Sequence, residues 1–231
     1  MMKVVVIGAT QGLGLALTAR FLQEGHDVAA GVVERITPPA LAELEKQHAG
    51  RLRVFQADVT DEEEIARGAL LCKEWFGQVD SLCHVAGVIL PSDRVTLISD
   101  CVVPDLRRTL DINTVGPVIV CKQFYPVMRP GAGVFIVTSE GPNVKNNGSW
   151  IPCYSLSKTA ATKVAGLFNA AVEDVDFYAV HPGRMNTQMG RTTAQIEPEE
   201  SAEGFYKLMT GATPVSRAEW FINYKGEPMQ A

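Results

Sequence analysis

The sequence is poor in the features that mark several classes of protein. Its five cysteines are odd in number and never spaced as C-x-x-C, which argues against a disulfide framework or a structural zinc site and favours a reducing compartment. Its 21 basic residues are outnumbered by 26 acidic ones and are scattered, so no nucleic-acid surface is expected. No apolar run approaches the ~18–20 residues that span a membrane, and residues 4–7 are too few for a signal-peptide core. We therefore expect a cytoplasmic protein that binds no metal, membrane or nucleic acid.

Apolar residues, by contrast, are plentiful and regularly arranged. They make up 46% of the chain, and 231 residues suit one domain, residues 1–231. Runs rich in valine and isoleucine alternate with segments of helical period, as in parallel sheets covered on both faces. Strands are predicted at residues 4–7, 28–33, 52–57, 81–85, 134–138, 177–180 and 220–224, and helices at residues 13–23, 39–47, 61–75, 114–128, 151–171 and 198–209. This alternation predicts a single doubly wound α/β domain of Rossmann type, with a parallel sheet of about seven strands and helices on both faces.

A glycine-rich turn connects the first predicted strand to the first helix. Residues 8–14 read G-A-T-Q-G-L-G, a G-x-x-x-G-x-G pattern. Such a turn needs residues without a Cβ where backbone amides approach a pyrophosphate, and the helix N-terminus then adds partial positive charge. The position between a strand and a helix favours nucleotide binding over an ordinary packing turn. The residues predicted to bind the nucleotide here are Gly8, Thr10, Gln11, Gly12, Leu13 and Gly14.

Other residues suited to chemistry follow along the chain. Tyr154 and Lys158 form a Y-x-x-x-K pattern at the start of a predicted helix, one turn apart on one face. Ser139 follows a strand, at the edge where open α/β sheets bind ligands. The remaining features, in chain order, are Asp58-Val59, Ala86-Gly87, Asn113, and Pro182-Gly183 with Thr187. With these features the sequence resembles the short-chain dehydrogenase/reductase family over nearly its whole length. The segments 137–141, 181–184 and 221–226 resemble its C-factor-like and carbonyl-reductase-like group.

The Tyr154–Lys158 pair has a chemical interpretation. A phenol has a pKa near ~10, and a lysine cation one turn away is expected to stabilise the phenolate and lower that pKa. Tyr154 is then the general acid/base and Lys158 its electrostatic modulator. The resemblance implies that Lys158 also hydrogen-bonds the nicotinamide ribose, that Ser139 polarises the substrate oxygen, and that Asn113, at the start of a helix, holds a water. The alternatives are an incidental surface pair, a strand-end hydroxyl and a simple N-cap.

The resemblance also implies a set of residues that hold a nicotinamide dinucleotide. Asp58 accepts from the adenine amino group, with help from the backbone of Val59. The loop at Pro182-Gly183 passes over the nicotinamide, whose carboxamide contacts the backbone near Met185 and the hydroxyl of Thr187. A generic strand-end aspartate and a plain Pro-Gly turn are the alternatives. The residues assigned to the dinucleotide outside the glycine-rich turn are Asp58, Val59, Ala86, Gly87, Tyr154, Lys158, Pro182, Gly183, Met185 and Thr187.

The choice between NAD and NADP depends on the end of the second strand, where an acid favours NAD and an arginine favours NADP. Spacing from Gly14 puts Val32 and Val33 there, followed by Glu34 and Arg35. We expect NADP, because Val32 lacks the acid that repels a phosphate and Arg35 is near enough to reach it, although Glu34 opposes it.

Three features depart from the family pattern or bear on the substrate. His84 stands where the family commonly has asparagine, and we interpret it as a structural donor. Residues 145–148 lengthen the interval between Ser139 and Tyr154 and are expected to bulge beside the substrate. Only about ten residues, 188–197, are left for the segment that covers the substrate, which implies an open pocket. Side chains expected to line it are Trp150, Cys153, Met185 and Met189.

The two helices predicted at residues 114–128 and 151–171 are apolar around more than one stripe. Such helices need a second surface to pack against, which predicts a homodimer or homotetramer formed through them. The predicted function is an oxidoreductase that transfers hydride between NADP or NAD and the carbonyl or alcohol carbon of a small substrate. The alternative is a nucleotide-binding signalling or sensor protein of C-factor type in which turnover is incidental.

Overall fold

The fold is built around one seven-stranded sheet, in a computed structural model that describes residues 1–140, 150–190 and 194–230. The strands are β1 (Lys3–Ile7), β2 (Asp27–Val32), β3 (Leu52–Gln56), β4 (Val79–His84), β5 (Met128–Val137), β6 (Val175–His181) and β7 (Phe221–Asn223). Their order is β3-β2-β1-β4-β5-β6-β7, and every neighbouring pair is parallel. The winding reverses between β1 and β4, so a crevice opens at the carboxyl ends of these two strands.

Helices cover both faces of the sheet. They are α1 (Gly12–Gln23), α2 (Pro39–Gln47), α3 (Glu62–Phe76), α4 (Val103–Leu110), α5 (Gly116–Phe124), α6 (Pro152–Ala171) and α7 (Pro198–Thr210). One apolar layer lies between the sheet and α3, α5 and α6, and the other lies between the sheet and α1, α2 and α7. The predicted doubly wound parallel sheet is therefore confirmed.

The strand β1 shows why the strands are continuously apolar in sequence. Val5 and Ile7 pack in the layer under α3, α5 and α6, whereas Val4 and Val6 pack in the opposite layer. All four side chains are fully buried, because successive side chains of a strand point to opposite faces and both faces are covered.

The bounds predicted for the helix at residues 114–128 are wrong at both ends. A helical run starts earlier, with the unpredicted α4, and passes through a π-helical turn, Asp111–Val115, into α5. Pro117 has no amide for the usual i→i−4 bond, and the wider π turn before it allows the chain to continue instead of starting a new helix. At the other end, residue 128 already belongs to β5.

The helix predicted at residues 61–75 is found as α3, Glu62–Phe76, and its cap distinguishes two neighbouring residues. Asp61, and not Thr60, is the N-cap, and its carboxylate accepts the backbone N–H of Glu64 at 2.9 Å. Thr60 instead donates its backbone N–H and its hydroxyl to Asp58. An aspartate and a threonine are both good caps, so composition alone did not distinguish the two neighbours.

Two further observations concern only the described ranges. Every helix in them is too short or too polar to cross a lipid bilayer, and they contain no group of three or more side chains able to hold a metal ion. The predicted insert at residues 145–148 lies outside the described residues.

Candidate active site

The glycine-rich turn between β1 and α1 is shaped for close approach of another group. Gly8 and Gly12 have φ angles of +90° and +52°, a region that favours glycine. A Cβ on Gly14 would overlap the carbonyl oxygen of Gly8, so this glycine lets α1 pack down on the strand. Gln11, at the N-cap of α1, makes no side-chain capping bond. The turn therefore presents backbone and a helix N-terminus to the crevice, an arrangement suited to phosphate.

A large cleft runs along the carboxyl edge of the sheet from this turn. Its volume of about 1140 Å³ slightly exceeds the ~300–1,000 Å³ typical of ligand pockets. It brings together most of the residues predicted from sequence. The predicted residues that line it are Gly8, Thr10, Gln11, Gly12, Leu13, Asp58, Val59, Ala86, Gly87, Ser139, Tyr154, Lys158, Pro182, Gly183, Met185 and Thr187.

Tyr154, Lys158 and Ser139 meet in the cleft, away from the glycine-rich turn. Tyr154 lies in the first turn of α6 and shares a side-chain hydrogen bond with Ser139, which follows β5. Lys158, one turn further along α6, donates from Nζ to the carbonyl oxygen of Val137 at 2.8 Å. Its Nζ lies 5.7 Å from the centroid of the Tyr154 ring. Two hydroxyls and a cation thus share one end of the cleft.

The pKa values of this pair differ from the expectation. Burial raises the pKa of Tyr154 to about 12, although the hydrogen bond with Ser139 acts to lower it. Burial lowers the pKa of Lys158 to about 8. The expected fall in the phenol's pKa is not found, because desolvation acts on both groups and the ammonium group is directed at the carbonyl of Val137. At neutral pH the phenol keeps its proton.

Asn113 is buried behind the cleft rather than lining it. It lies within the π-helical turn, so the prediction that it begins a helix is wrong. Its Oδ1 accepts the N–H of Val88 at 2.8 Å, and its Nδ2 donates to the Val88 carbonyl at 2.9 Å and to Ser157 Oγ at 3.0 Å. A Cβ on Gly87 would lie 3.2 Å from both Asn113 Oδ1 and Lys158 Nζ. The side chain therefore fixes the loop after β4 beside Lys158, and its water-holding role stays a prediction.

Asp58 and Val59, which follow β3, line the part of the cleft on the β3 side of β1. Burial acts to raise the pKa of Asp58, but two hydrogen bonds from Thr60 and the positive charge of Arg108 together lower it. Arg108, on the unpredicted α4, also lines the cleft. It was missed because nothing in its local sequence relates it to Asp58, 50 residues earlier.

The loop after β6 closes the other side of the cleft. The carbonyl of Pro182 accepts the hydroxyl of Ser201 at 2.7 Å, and Gly183 has a φ of +82°. A Cβ on Gly12 would lie 3.2 Å from the methyl of Thr187, so this loop faces the glycine-rich turn across the cleft. Met185 pairs with Ile196 in an isolated bridge that holds the loop in place.

The end of β2 presents a carboxylate to the cleft. Glu34 lines it and accepts the hydroxyl of Thr10 at 2.7 Å. Arg35 is exposed and is not among the described residues that form the cleft wall. Gly14 also lies outside the wall, where it serves the packing of α1 on β1.

The substrate side agrees with the expectations in part. Trp150, Met185 and Met189 line the cleft, whereas Cys153 is buried and turned away from it. His84 is also fully buried, and its ring nitrogens bond no other described residue, so its interpretation as a structural donor stays a prediction. Burial and the nearby charge of Lys158 lower the pKa of His84 to about 3, which keeps this ring neutral.

Comparison with known proteins gives a consistent result. Residues 2–198 match the family model for short chain dehydrogenase. The 1-hydroxy-2-glutathionyl-2-methyl-3-butene dehydrogenase of Rhodococcus sp. (strain AD45) is 28% identical over 221 residues, covering 93% of each chain. A short-chain dehydrogenase/reductase of Burkholderia multivorans, solved with bound NADP, has a TM-score of 0.87 at 24% identity and covers 100% of this chain and 99% of its own. Carbonyl reductase Sniffer of D. melanogaster has a TM-score of 0.89 at 19% identity and full coverage of both chains. At these identities the solved structures show a shared fold.

Proposed function

The chain belongs to the short-chain dehydrogenase family of NAD(P)-dependent oxidoreductases, and we propose that it reduces the carbonyl group of a small substrate with Tyr154 as the proton donor. The observation that carries the proposal is the meeting of Tyr154, Ser139 and Lys158 at one end of a cleft that begins at the glycine-rich turn. The cleft fits a dinucleotide, because the glycine-rich turn and the N-terminus of α1 line it and its volume is about 1140 Å³.

Each side chain has a role that follows from its position. A nicotinamide dinucleotide held between the glycine-rich turn and the loop after β6 would supply the hydride for the carbonyl carbon. Tyr154 Oη donates its proton to the carbonyl oxygen, while the hydroxyl of Ser139 orients and polarises that oxygen. Lys158 then lies beside the phenolate that remains, and its pKa of about 8 suits proton exchange with solvent near neutral pH.

The protonation state of Tyr154 bears on which half-reaction it can assist near neutral pH. With a pKa of about 12 the phenol is an acid at neutral pH, as carbonyl reduction requires. Alcohol oxidation needs the phenolate and is expected to become faster only as pH rises. The pKa of Tyr154 therefore supports its proposed role as proton donor in carbonyl reduction near neutral pH.

Replacing Tyr154 by phenylalanine tests this function. Tyr154→Phe is expected to lower kcat with aldehydes and activated ketones by about 10³-fold, because it removes the proton donor. The affinity for the dinucleotide, measured by fluorescence titration, should stay within about twofold, since the ring that shapes the cleft is retained. Tyr125→Phe, which removes the hydroxyl that bonds Asp174 outside the cleft, serves as the matched control.

Two outcomes would contradict the proposal. One is a Tyr154→Phe variant that keeps most of its turnover. The other is a wild-type protein that binds a dinucleotide tightly and reduces no member of a broad carbonyl panel, which would favour a nucleotide-binding sensor.

We further propose that Glu34 decides between NAD and NADP. Its carboxylate, held by Thr10, stands at the end of β2 and repels a 2′-phosphate. The sequence-based expectation of NADP stays a prediction; it is supported by the NADP bound in the Burkholderia multivorans structure and opposed by Glu34.

The Glu34→Gln variant tests this role. We expect the ratio of kcat/KM for NADPH to that for NADH to rise about tenfold, or ~1.4 kcal/mol, because one repulsive charge is lost. Glu45→Gln, an equal change of charge on the exposed face of α2, should leave the ratio unchanged. An unaltered ratio in Glu34→Gln would assign the preference to other groups.

We also propose a homodimer formed through α5 and α6, which agrees with the family resemblance. Four apolar side chains of this helical surface are 38–57% exposed. They are Val115, Val118, Leu156 and Leu167.

A further inference from the structure

A buried carboxylate from a distant part of the chain touches the first turn of α6. Asp93 lies in a short 3-10 turn, Pro91–Arg94, and only 2% of it is exposed. Its Oδ1 accepts the backbone N–H of Cys153 at 2.8 Å, and its Oδ2 accepts the backbone N–H of Tyr154 at 2.9 Å. The thiol of Cys153 forms a further hydrogen bond with the same carboxylate. Both carboxylate oxygens are thus engaged, as a buried acid requires.

The residue that precedes α6 does not cap the first-turn amides of the helix. Its N-cap residue is Ile151, which makes no side-chain capping bond. Ile151 has φ 48° and ψ 58° and is the one non-glycine residue with a positive φ among the described residues. A β-branched residue in this left-handed region is strained, so the surrounding structure must hold the entry to α6 in place. Asp93 provides that hold across 60 residues of sequence.

The turn that carries Asp93 is itself tied to its surroundings. Ser92 donates its hydroxyl to Asp105 on α4, and its carbonyl accepts the hydroxyl of Thr96 at 3.0 Å. Arg94 donates from its guanidinium group to the carbonyl of Met189 at 2.8 Å, in the loop that lines the substrate side of the cleft. Asp93 therefore belongs to a rigid support that reaches both the catalytic helix and the opposite cleft wall.

We propose that Asp93 is a positioning residue for Tyr154: by holding the amides of residues 153 and 154, it fixes the phenol against Ser139 and above Lys158. This inference rests on the proposed function of Tyr154 and extends it to a residue that does not line the cleft. A loss of about 1 Å in placement is enough to slow a positioned proton transfer by about 10²-fold.

Two substitutions at Asp93 test the proposal. Asp93→Asn keeps the shape of the side chain and one acceptor oxygen, and Asp93→Ala keeps neither. We expect kcat for carbonyl reduction to fall about tenfold in the first and about a hundredfold in the second, with the KM for the dinucleotide changed by less than about twofold. The alkaline limb of the kcat–pH profile should move to lower pH, because water that reaches the loosened phenol stabilises its charged form.

The matched control removes a helix cap elsewhere. Asp61 is the N-cap of α3, accepts the N–H of Glu64 and does not line the cleft. Asp61→Ala should destabilise the fold and leave kcat and its pH profile unchanged. If Asp93→Ala or Asp93→Asn behaves as Asp61→Ala does, with kcat and pH profile unchanged, Asp93 has only a structural role and the proposal is overturned.

Amide hydrogen exchange separates this proposal from the function on which it rests. The amides of Cys153 and Tyr154 should exchange faster in Asp93→Asn than in the wild type, while the amides of α3 should not. This measurement needs no substrate, so it tests the hold of Asp93 even if the wild type reduces no carbonyl, a result that would overturn the function alone. Unchanged exchange at these two amides would overturn the role of Asp93.

Discussion

Lys158 carries an ammonium group into the interior, where only 4% of the residue is exposed. Burial lowers its pKa from 10.5 to about 8. Because the folded chain binds this proton less tightly than the unfolded chain, the group lowers stability at pH 7, and this deficit disappears as pH rises from about 8 to 10.5. Tyr154 affects the stability of the fold in the opposite direction and at higher pH. Its pKa is raised from 10.0 to about 12, so stability falls as pH rises between these values.

The Lys158→Met variant is expected to be more stable than the wild type and inactive. At pH 7 we expect the free energy of unfolding to rise by about 1–3 kcal/mol, because an uncharged side chain of similar length replaces a buried cation. Denaturant unfolding at several pH values should show the gap shrinking between pH 8 and 10.5. Lys163→Met, an exposed position on the same helix, should show no such trend. A gap that is constant across this range would mean that Lys158 titrates normally in the folded chain.

Single residues show how much of the candidate site can be predicted from the local sequence. Tyr154, Lys158 and Ser139 were identifiable from spacing and from their position at strand and helix ends. Asp93 was not, because its significance lies in two amides about 60 residues away. The pKa of Tyr154 was also misjudged, since sequence places the lysine one turn away but does not show the direction of its ammonium group or the burial of the phenol.

At the level of elements, α6 shows the same division. Its extent was predicted almost as observed, residues 151–171 against Pro152–Ala171, because its period and small residues are strong local signals. Its two ends are held by distant groups. Asp93 accepts from the first-turn amides, and Arg217 donates to the carbonyls of Asn169 and Val172 at the C-terminal end. A carboxylate at the N-terminus and a guanidinium at the C-terminus both match the helix dipole.

The helical run from α4 to α5 shows that local helix-start signals, such as a proline after a glycine, do not always mark the start of a helix. Pro117 follows a glycine and lies near the start of the helix predicted at residues 114–128, a position that prolines often take. In the fold the helix is already under way, and the π turn at Asp111–Val115 accommodates the proline and buries Asn113 beside Gly87. The packing of Asn113 on the loop after β4 is a tertiary effect that the local sequence does not encode.

At the level of the whole molecule, the exposed apolar surface of α5 and α6 bears on assembly. Many of the apolar side chains of these two helices belong to the core, since Val120, Val164 and Ala165 are buried against the sheet. Val118 and Leu167 are instead 38% and 57% exposed. This smaller surface is the one proposed to form the dimer.

Charge placed on this surface should dissociate the dimer. Val118→Lys combined with Leu167→Lys is expected to give a monomer in analytical ultracentrifugation, because two like charges on each copy then meet across a two-fold axis. Leu70→Lys, on the exposed face of α3, is the control and should leave the mass unchanged. A wild-type protein that sediments as a monomer would contradict the proposed assembly.

The sequence alone determined the β–α alternation, the glycine-rich turn and the family resemblance, because each depends on residues close together in the chain. The periodicity of apolar residues and the conformational freedom of glycine are local properties, so they can be recognised without knowledge of the fold. Only the tertiary structure decided which residues face the cleft: it brought in Glu34 and Arg108, left Arg35 and Cys153 outside, and put Asp93 under Tyr154. Burial and long-range hydrogen bonds depend on which elements pack together. They also set the pKa values of Tyr154 and Lys158.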